Sequence, residues 1–190
     1  MRRLGAPLAL ACLALALAAS GCGAEPERRR LEPAQPARPA EWRVAWNETY
    51  GEEGAVLRFR VEALRITQRG WAADVVVANE TQAAWLIDPL GFGVLLFADD
   101  DLAQLERDSR DGKLPPPRRA REFSPPPPAQ LAAGSRWRAT ISAPGKLPAG
   151  AWVRVLFGTF TAVGKPPRGL HPVVSWITDA AHRLPPPPVP

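Results

Sequence analysis

A cysteine, two histidines and a run of aspartates are the residues of this chain that could do chemistry. Cys22 closes the stretch Leu17-Ala18-Ala19-Ser20-Gly21-Cys22, behind an apolar run and a basic start. A thiol reacts through its thiolate and is the best nucleophile a neutral-pH side chain offers, so Cys22 is a candidate for covalent modification. Ser175, His171 and Asp179 form the one conceivable nucleophile–base–acid set. No strand–serine–helix elbow surrounds Ser175, and no HExxH, GxSxG or phosphate-loop spacing occurs anywhere. Asp99, Asp100 and Asp101 offer the clustered carboxylate oxygens that Ca²⁺ wants, but the ligand spacing of an EF-hand loop is absent. No metal and no cofactor are therefore expected.

The surroundings of Cys22 decide how it is read. Arg2 and Arg3 are followed by the apolar stretch Leu8 to Ala19. Twelve helical residues span roughly 18 Å, too little for a hydrocarbon core of about 30 Å, so the segment fits a secretory leader and not a membrane span. With small residues leading to the cysteine, this stretch resembles the lipobox of bacterial lipoproteins. Ala19 stands where that pattern most often has leucine. The resemblance implies that residues 1–21 are removed as a signal peptide and that Cys22 becomes an N-terminus carrying palmitate-class acyl chains. Two or more chains anchor a protein stably in a membrane, whereas one does not. Gly23, where an aspartate would resemble an inner-membrane retention signal, implies an outer-membrane address if the cell has two membranes.

Composition sets further bounds. Cys12 leaves with the leader and Cys22 is used by lipid, so the mature domain has no disulfide and must be stabilised by packing. The formal charge of +5 falls to +3 once Arg2 and Arg3 are removed. The basic residues form no cluster outside short loops when read along the chain, so no nucleic-acid partner is expected. Residues 22–40 alternate Pro26, Pro33, Pro36 and Pro39 with polar residues and the run Arg28-Arg29-Arg30. They read as a disordered tether reaching roughly 55 Å at about 3.1 Å per residue.

A folded domain is expected over 41–184, with 185–190 a disordered proline tail. Trp42, Val44 and Trp46 alternate with polar residues, as do Leu57, Phe59 and Val61. The apolar phase then slips to Leu64 and Ile66, as a bulge produces. Trp71, Ala73, Val75 and Val77 continue a hairpin across the turn Gln68-Arg69-Gly70. Phe92 to Phe97 is apolar throughout and reads as a strand buried on both faces. Trp137, Ala139 and Ile141 alternate with Arg136, Arg138 and Thr140, Trp152 to Phe160 is a further strand, and Val173 to Thr178 is the last. With no strand–helix alternation, the expected fold is all-β, an antiparallel β-sandwich of seven to eight strands with one long proline-rich loop, Asp99 to Gln130. That loop is divided in charge: Asp99 to Asp111 carries −4 and Lys113 to Arg121 carries +4.

Seven tryptophans also invite a carbohydrate-stacking reading. Most share an inward phase with apolar neighbours and belong to a core. Trp85, Trp152 and Trp176 are ambiguous in phase and are the candidate ligand surface.

Two runs resemble strands of the immunoglobulin-like domains of bacterial envelope lipoproteins. One is Val75-Val76-Val77-Ala78-Asn79-Glu80-Thr81 followed by Trp85. The other is Leu131 to Trp137, Leu147-Pro148-Ala149-Gly150 and Val153 to Gly158. The resemblance covers roughly Val56 to Phe160 and brings no catalytic residue. It implies an immunoglobulin-like sandwich held to the cell envelope by lipid, which is an architecture and a location and not a function. The leading expectation is a domain that is not an enzyme and binds a protein or glycan partner in the envelope. The competing expectations are a structural or assembly-assisting lipoprotein without a soluble ligand, and an envelope hydrolase using His171 or His182.

Overall fold

The computed structural model describes residues 40–52, 54–67, 69–97, 107 and 110–185. Cys22, the tether up to Pro39, Asp99, Asp100, Asp101 and residues 186–190 lie outside the described residues, while Ala40, expected to end the tether, begins the first strand.

Three long strands open the domain as a meander: β1 (Ala40–Glu52), β2 (Ala55–Ile66) and β3 (Gly70–Glu80). They are followed by β4 (Trp85–Asp88), a 3₁₀ turn at Pro89–Gly91, and β5 (Gly93–Phe97). Short strands β6 (Arg118–Arg119), β7 (Glu122–Ser124) and β8 (Gln130–Leu131) come next. The chain ends with β9 (Arg136–Pro144), β10 (Trp152–Ala162), β11 (Val173–Ile177) and β12 (His182–Arg183). Eight of these strands have four or more residues. The strands form two antiparallel sheets facing each other as a β-sandwich.

Sheet 1 has the order β1-β2-β3-β9-β7. In sheet 2 the long β10 is central, with β5 and β4 along one edge and β11 and β12 along the other, β6 adding to β5 and β8 to β4. The expected long loop is thus partly ordered, because β6, β7 and β8 pair with strands of both sheets. Strands of two or three residues are too short to show a period of two, so the sequence pattern could not reveal them.

Inward-facing residues fill the space between the sheets. Phe59 of sheet 1 packs on Phe157 and Phe160 of sheet 2 at 5.1 and 5.4 Å between ring centroids. Phe92 meets Trp137 edge-on at 5.4 Å. Such pairs contribute beyond their buried area. The phase slip in β2 is a bulge: between Val61 and Ala63 the pairing with β3 shifts by one residue. The extra residue lets Val61 and then Leu64 and Ile66 all point to the core. β1 has its own bulge between Arg43 and Trp46, where Ala45 takes a φ of 49°. As an edge strand, β1 leaves Trp42, Val44 and Trp46 half-buried.

Sheet 2 is buried on both faces around β5. Val94 joins the main core, whereas Leu95 and Phe97 form a second small cluster with Trp152 and Ile177 on the other face. Asn79 closes the end of β3. Fully buried, it donates to the carbonyls of Ala83, Leu131 and Ala132 at 2.7, 3.1 and 2.9 Å. Its Oδ1 accepts from the Thr81 amide and hydroxyl at 3.0 and 2.7 Å.

Candidate functional site

The residues singled out by the sequence do not meet. Ser175 Oγ lies 3.0 Å from Thr159 Oγ1, His171 Nδ1 lies 3.2 Å from the Val173 carbonyl oxygen, and Asp179 accepts from Arg154 at 3.3 Å. Each is engaged locally, and no serine–histidine–aspartate relay forms among them. His182 of β12 is held against the ring of Trp42 on β1, 5.0 Å between centroids. Its Nε2 is buried with no partner among the described residues, and burial pushes its pKa below the usual histidine value. Among the described residues no three His, Cys, Asp or Glu side chains gather as metal ligands.

The three tryptophans do not make one surface. Trp85 is fully buried in the core, with its Nε1 donating to Thr81 Oγ1 at 3.1 Å. It offers no ring face to a ligand, which corrects the expectation for this residue. Trp176 stacks on Phe59 at 5.4 Å and 5°, and its Nε1 donates to Glu48 at 2.8 Å. Glu48 also accepts from the Ala180 amide at 3.0 Å, so Glu48 of β1 holds β11 and the residues that follow it. Trp152 sits on the opposite face of sheet 2 with the Arg183 guanidinium 5.9 Å above its ring. The guanidinium sits over that face of the half-buried ring as a cation–π contact.

Among the described residues a cleft lies elsewhere, on the outer face of sheet 1, and the sequence reading missed it. It has a volume of about 330 Å³ and is lined by Glu62, Asp74, Ser124, Pro125, Arg138, Ala139 and Thr140. Strand alternation explains the lining. Arg58, Arg60, Asp74, Val76, Ala78, Arg136, Arg138 and Thr140 are the outward phase of β2, β3 and β9. At the rim, β7 ends at the cis peptide bond between Ser124 and Pro125. The Pro125 carbonyl accepts from Trp137 Nε1 at 3.3 Å, which ties the rim to the core.

The charges in the cleft are paired and ordered. Asp74 takes a two-pronged interaction from Arg65 and accepts from Thr140 Oγ1 at 2.7 Å. Burial alone would raise the Asp74 pKa, but the hydrogen bonds from Arg65 and Thr140 and the charges of Arg65 and Arg138 outweigh it and hold the carboxyl below its usual range. Glu62 accepts from Arg138 Nη2 at 2.9 Å and lies 3.8 Å from Arg60 Nη2. The cleft thus offers carboxylate, guanidinium and hydroxyl groups fixed by one another. No aromatic ring lies in its lining, and no histidine or thiol stands by its two hydroxyls.

Comparison with known proteins adds no assignment: no family model, no curated protein and no solved structure matches this chain.

Proposed function

We propose that this is a lipid-anchored, non-enzymatic domain of the bacterial cell envelope that binds a glycan through the outer face of sheet 1. The observation that carries the reading is the cleft beside Pro125. At about 330 Å³ it falls at the small end of ligand pockets, which run roughly 300–1,000 Å³. Its lining presents paired carboxylates, a guanidinium and two hydroxyls. Such groups suit a ligand rich in hydroxyls. A protein partner would find none of the buried aromatic anchors on which most protein interfaces depend.

The same geometry argues against hydrolysis. A glycosidase needs one carboxyl kept protonated as the general acid. Asp74 is held in its ionised form by Arg65 and Thr140.

The immunoglobulin-like reading of the sandwich is supported by connectivity. β2, β3, β9 and β7 take the positions A, B, E and D of such a domain, and β4 with β5, β10 and β11 take C, F and G. Trp85 stands where these domains bury a tryptophan on strand C. β1 is an added strand beside A.

The experiment is site-specific photo-cross-linking in living cells. One cross-linker replaces Thr140 in the cleft and a second replaces Thr161 on the outer face of sheet 2. Capture of an envelope component from position 140 and not from 161 is expected. Equal capture at both, or capture only at 161, overturns the assignment of the cleft. Anchoring is checked in the same cells: Cys22→Ser should abolish the acyl mass increment and release the domain from the membrane fraction.

A further inference from the structure

Four arginines on sheet 1 stand in a rectangle. Arg60 pairs across β3 with Arg138 through Val76, and Arg58 with Arg136 through Ala78. Strands lie about 4.8 Å apart and rise about 3.4 Å per residue, so the four Cα positions mark a patch of roughly 10 by 7 Å. The floor is low because the middle strand carries only valine and alanine there. Val76 is nevertheless buried although it lies on the outer face, covered by the long side chains that flank it.

Their charge is not balanced. Arg58 is neutralised by Glu80 in a two-pronged pair, 2.8 Å in each contact. Arg60 and Arg138 share the single carboxylate of Glu62. Arg136 is exposed and has no charge partner among the described residues. With the neighbouring Arg65–Asp74 pair included, five guanidiniums face three carboxylates. The surplus lies on Arg60, Arg136 and Arg138, and Arg138 is also a wall of the cleft. Planar guanidiniums with free N–H groups bind carboxylate and phosphate oxygens through paired hydrogen bonds.

We infer that the ligand of this face is an acidic saccharide, whose anionic group docks on Arg60, Arg136 and Arg138 while its hydroxyls enter the cleft at Ser124, Asp74 and Thr140. The inference rests on the proposed glycan-binding role and specifies its chemistry. The outer-phase residues of β2, β3 and β9 include no aromatic ring on which a nucleobase could stack. They include no exposed large apolar residue that could enter a bilayer either. Both features favour a saccharide over a single-stranded nucleic acid or a lipid surface.

The test uses the detergent-extracted full-length protein with three probes: polygalacturonate, neutral dextran of similar length, and vesicles containing phosphatidylglycerol. The double variant Arg60→Gln/Arg138→Gln is compared with a charge-matched control, Lys165→Gln/Arg168→Gln, and thermal melting confirms that both fold. Polygalacturonate should bind, weaken as salt rises, and lose at least tenfold in affinity in the double variant but not in the control. Equal loss in both variants would overturn the inference, since it would report net charge alone. Dextran binding as well as polygalacturonate, unaffected by the double variant, would overturn the acidic class and leave the glycan role standing. Binding to vesicles alone would replace the saccharide with a lipid surface. No binding to any probe, with cross-linking from position 140 intact, would also overturn the inference while keeping the cleft.

Discussion

Arg138 on β9 reaches over β3 to Glu62 on β2, 2.9 Å away, so one ion pair bridges three strands and roofs Val76. Glu62 is where it is because of the bulge. The extra residue between Val61 and Ala63 turns both Glu62 and Ala63 toward the outer face. Without the bulge, the core phase of β2 and the charged phase above it could not both be kept.

Glu62→Gln is the variant that isolates this relationship. Part-exposed ion pairs contribute roughly 0–1 kcal/mol, so the melting temperature should move by only a few degrees. Affinity for an acidic saccharide should rise, because Arg60 and Arg138 lose the internal carboxylate that competes for them. Calorimetric titration with polygalacturonate checks it, and a fall in affinity would mean that Glu62 positions the guanidiniums more than it competes with ligand.

Asn79 is the polar residue whose loss should cost most. Its side chain satisfies three carbonyls and receives the Thr81 amide and hydroxyl, all at the end of the core. Asn79→Ala takes the acceptor from the buried Thr81 amide and a donor from the Leu131 carbonyl, while the Ala83 and Ala132 carbonyls keep Thr81 and Ser135 as donors, so a loss of about 2–3 kcal/mol is expected. Thr81→Ala should cost less, since the Trp85 indole and the Ala83 amide lose one shared acceptor. Urea denaturation of both variants ranks them.

Much of this architecture was legible in the sequence, and the failures have physical causes. The alternation in β2, β3 and β9, and the bulge implied by the shift to Leu64 and Ile66, needed only the period of two. The arginine patch did not follow, although Arg58, Arg60, Arg136 and Arg138 were each visible in a polar phase. Bringing them together takes the register Arg60–Val76–Arg138, which joins residues 78 apart in the chain. Trp85 was misread for a similar reason. A four-residue strand shows too little alternation to fix which face is buried, and Thr81, the acceptor that marks its indole as internal, lies outside that strand.

His182 sets a pH dependence in the mildly acidic range. Burial lowers its pKa in the folded state below 6.5, so the unfolded chain binds the proton first. Stability is therefore full above about pH 6.5 and falls as the pH drops through that value toward the folded pKa. Asp74 and Glu80 act lower. Their folded pKa values lie below 3.8 and 4.5, so their contribution is present above those values and is lost only as the pH falls further. Urea midpoints at pH 8, 6 and 5 should decline for the unaltered protein and stay level for His182→Phe. An equal decline in both would assign the effect to other groups.

Gly158 tests how closely the broken edge of sheet 2 is fitted. Asp88 and Pro89 turn the chain between β4 and β5, with the Asp88 side chain accepting from the Leu90 amide at 2.9 Å. The turn folds back onto β10, where a Cβ at position 158 would fall against the Asp88 carbonyl oxygen and the Phe92 ring, well inside van der Waals contact. One of those neighbours is backbone and the other is fully buried, so neither can yield without shifting β4 or the core. Gly158→Ala should therefore destabilise the domain by roughly 1–3 kcal/mol or more, although a single methyl group is added. Gly164→Ala serves as the comparison, because it has open space around its Cβ and pays only for its φ of 81°. Hydrogen exchange of the β4 amides should accelerate in Gly158→Ala while those of β2 and β3 change less. Uniform acceleration across both sheets would mean that the strain is shared through the whole core and not confined to the β4–β10 edge.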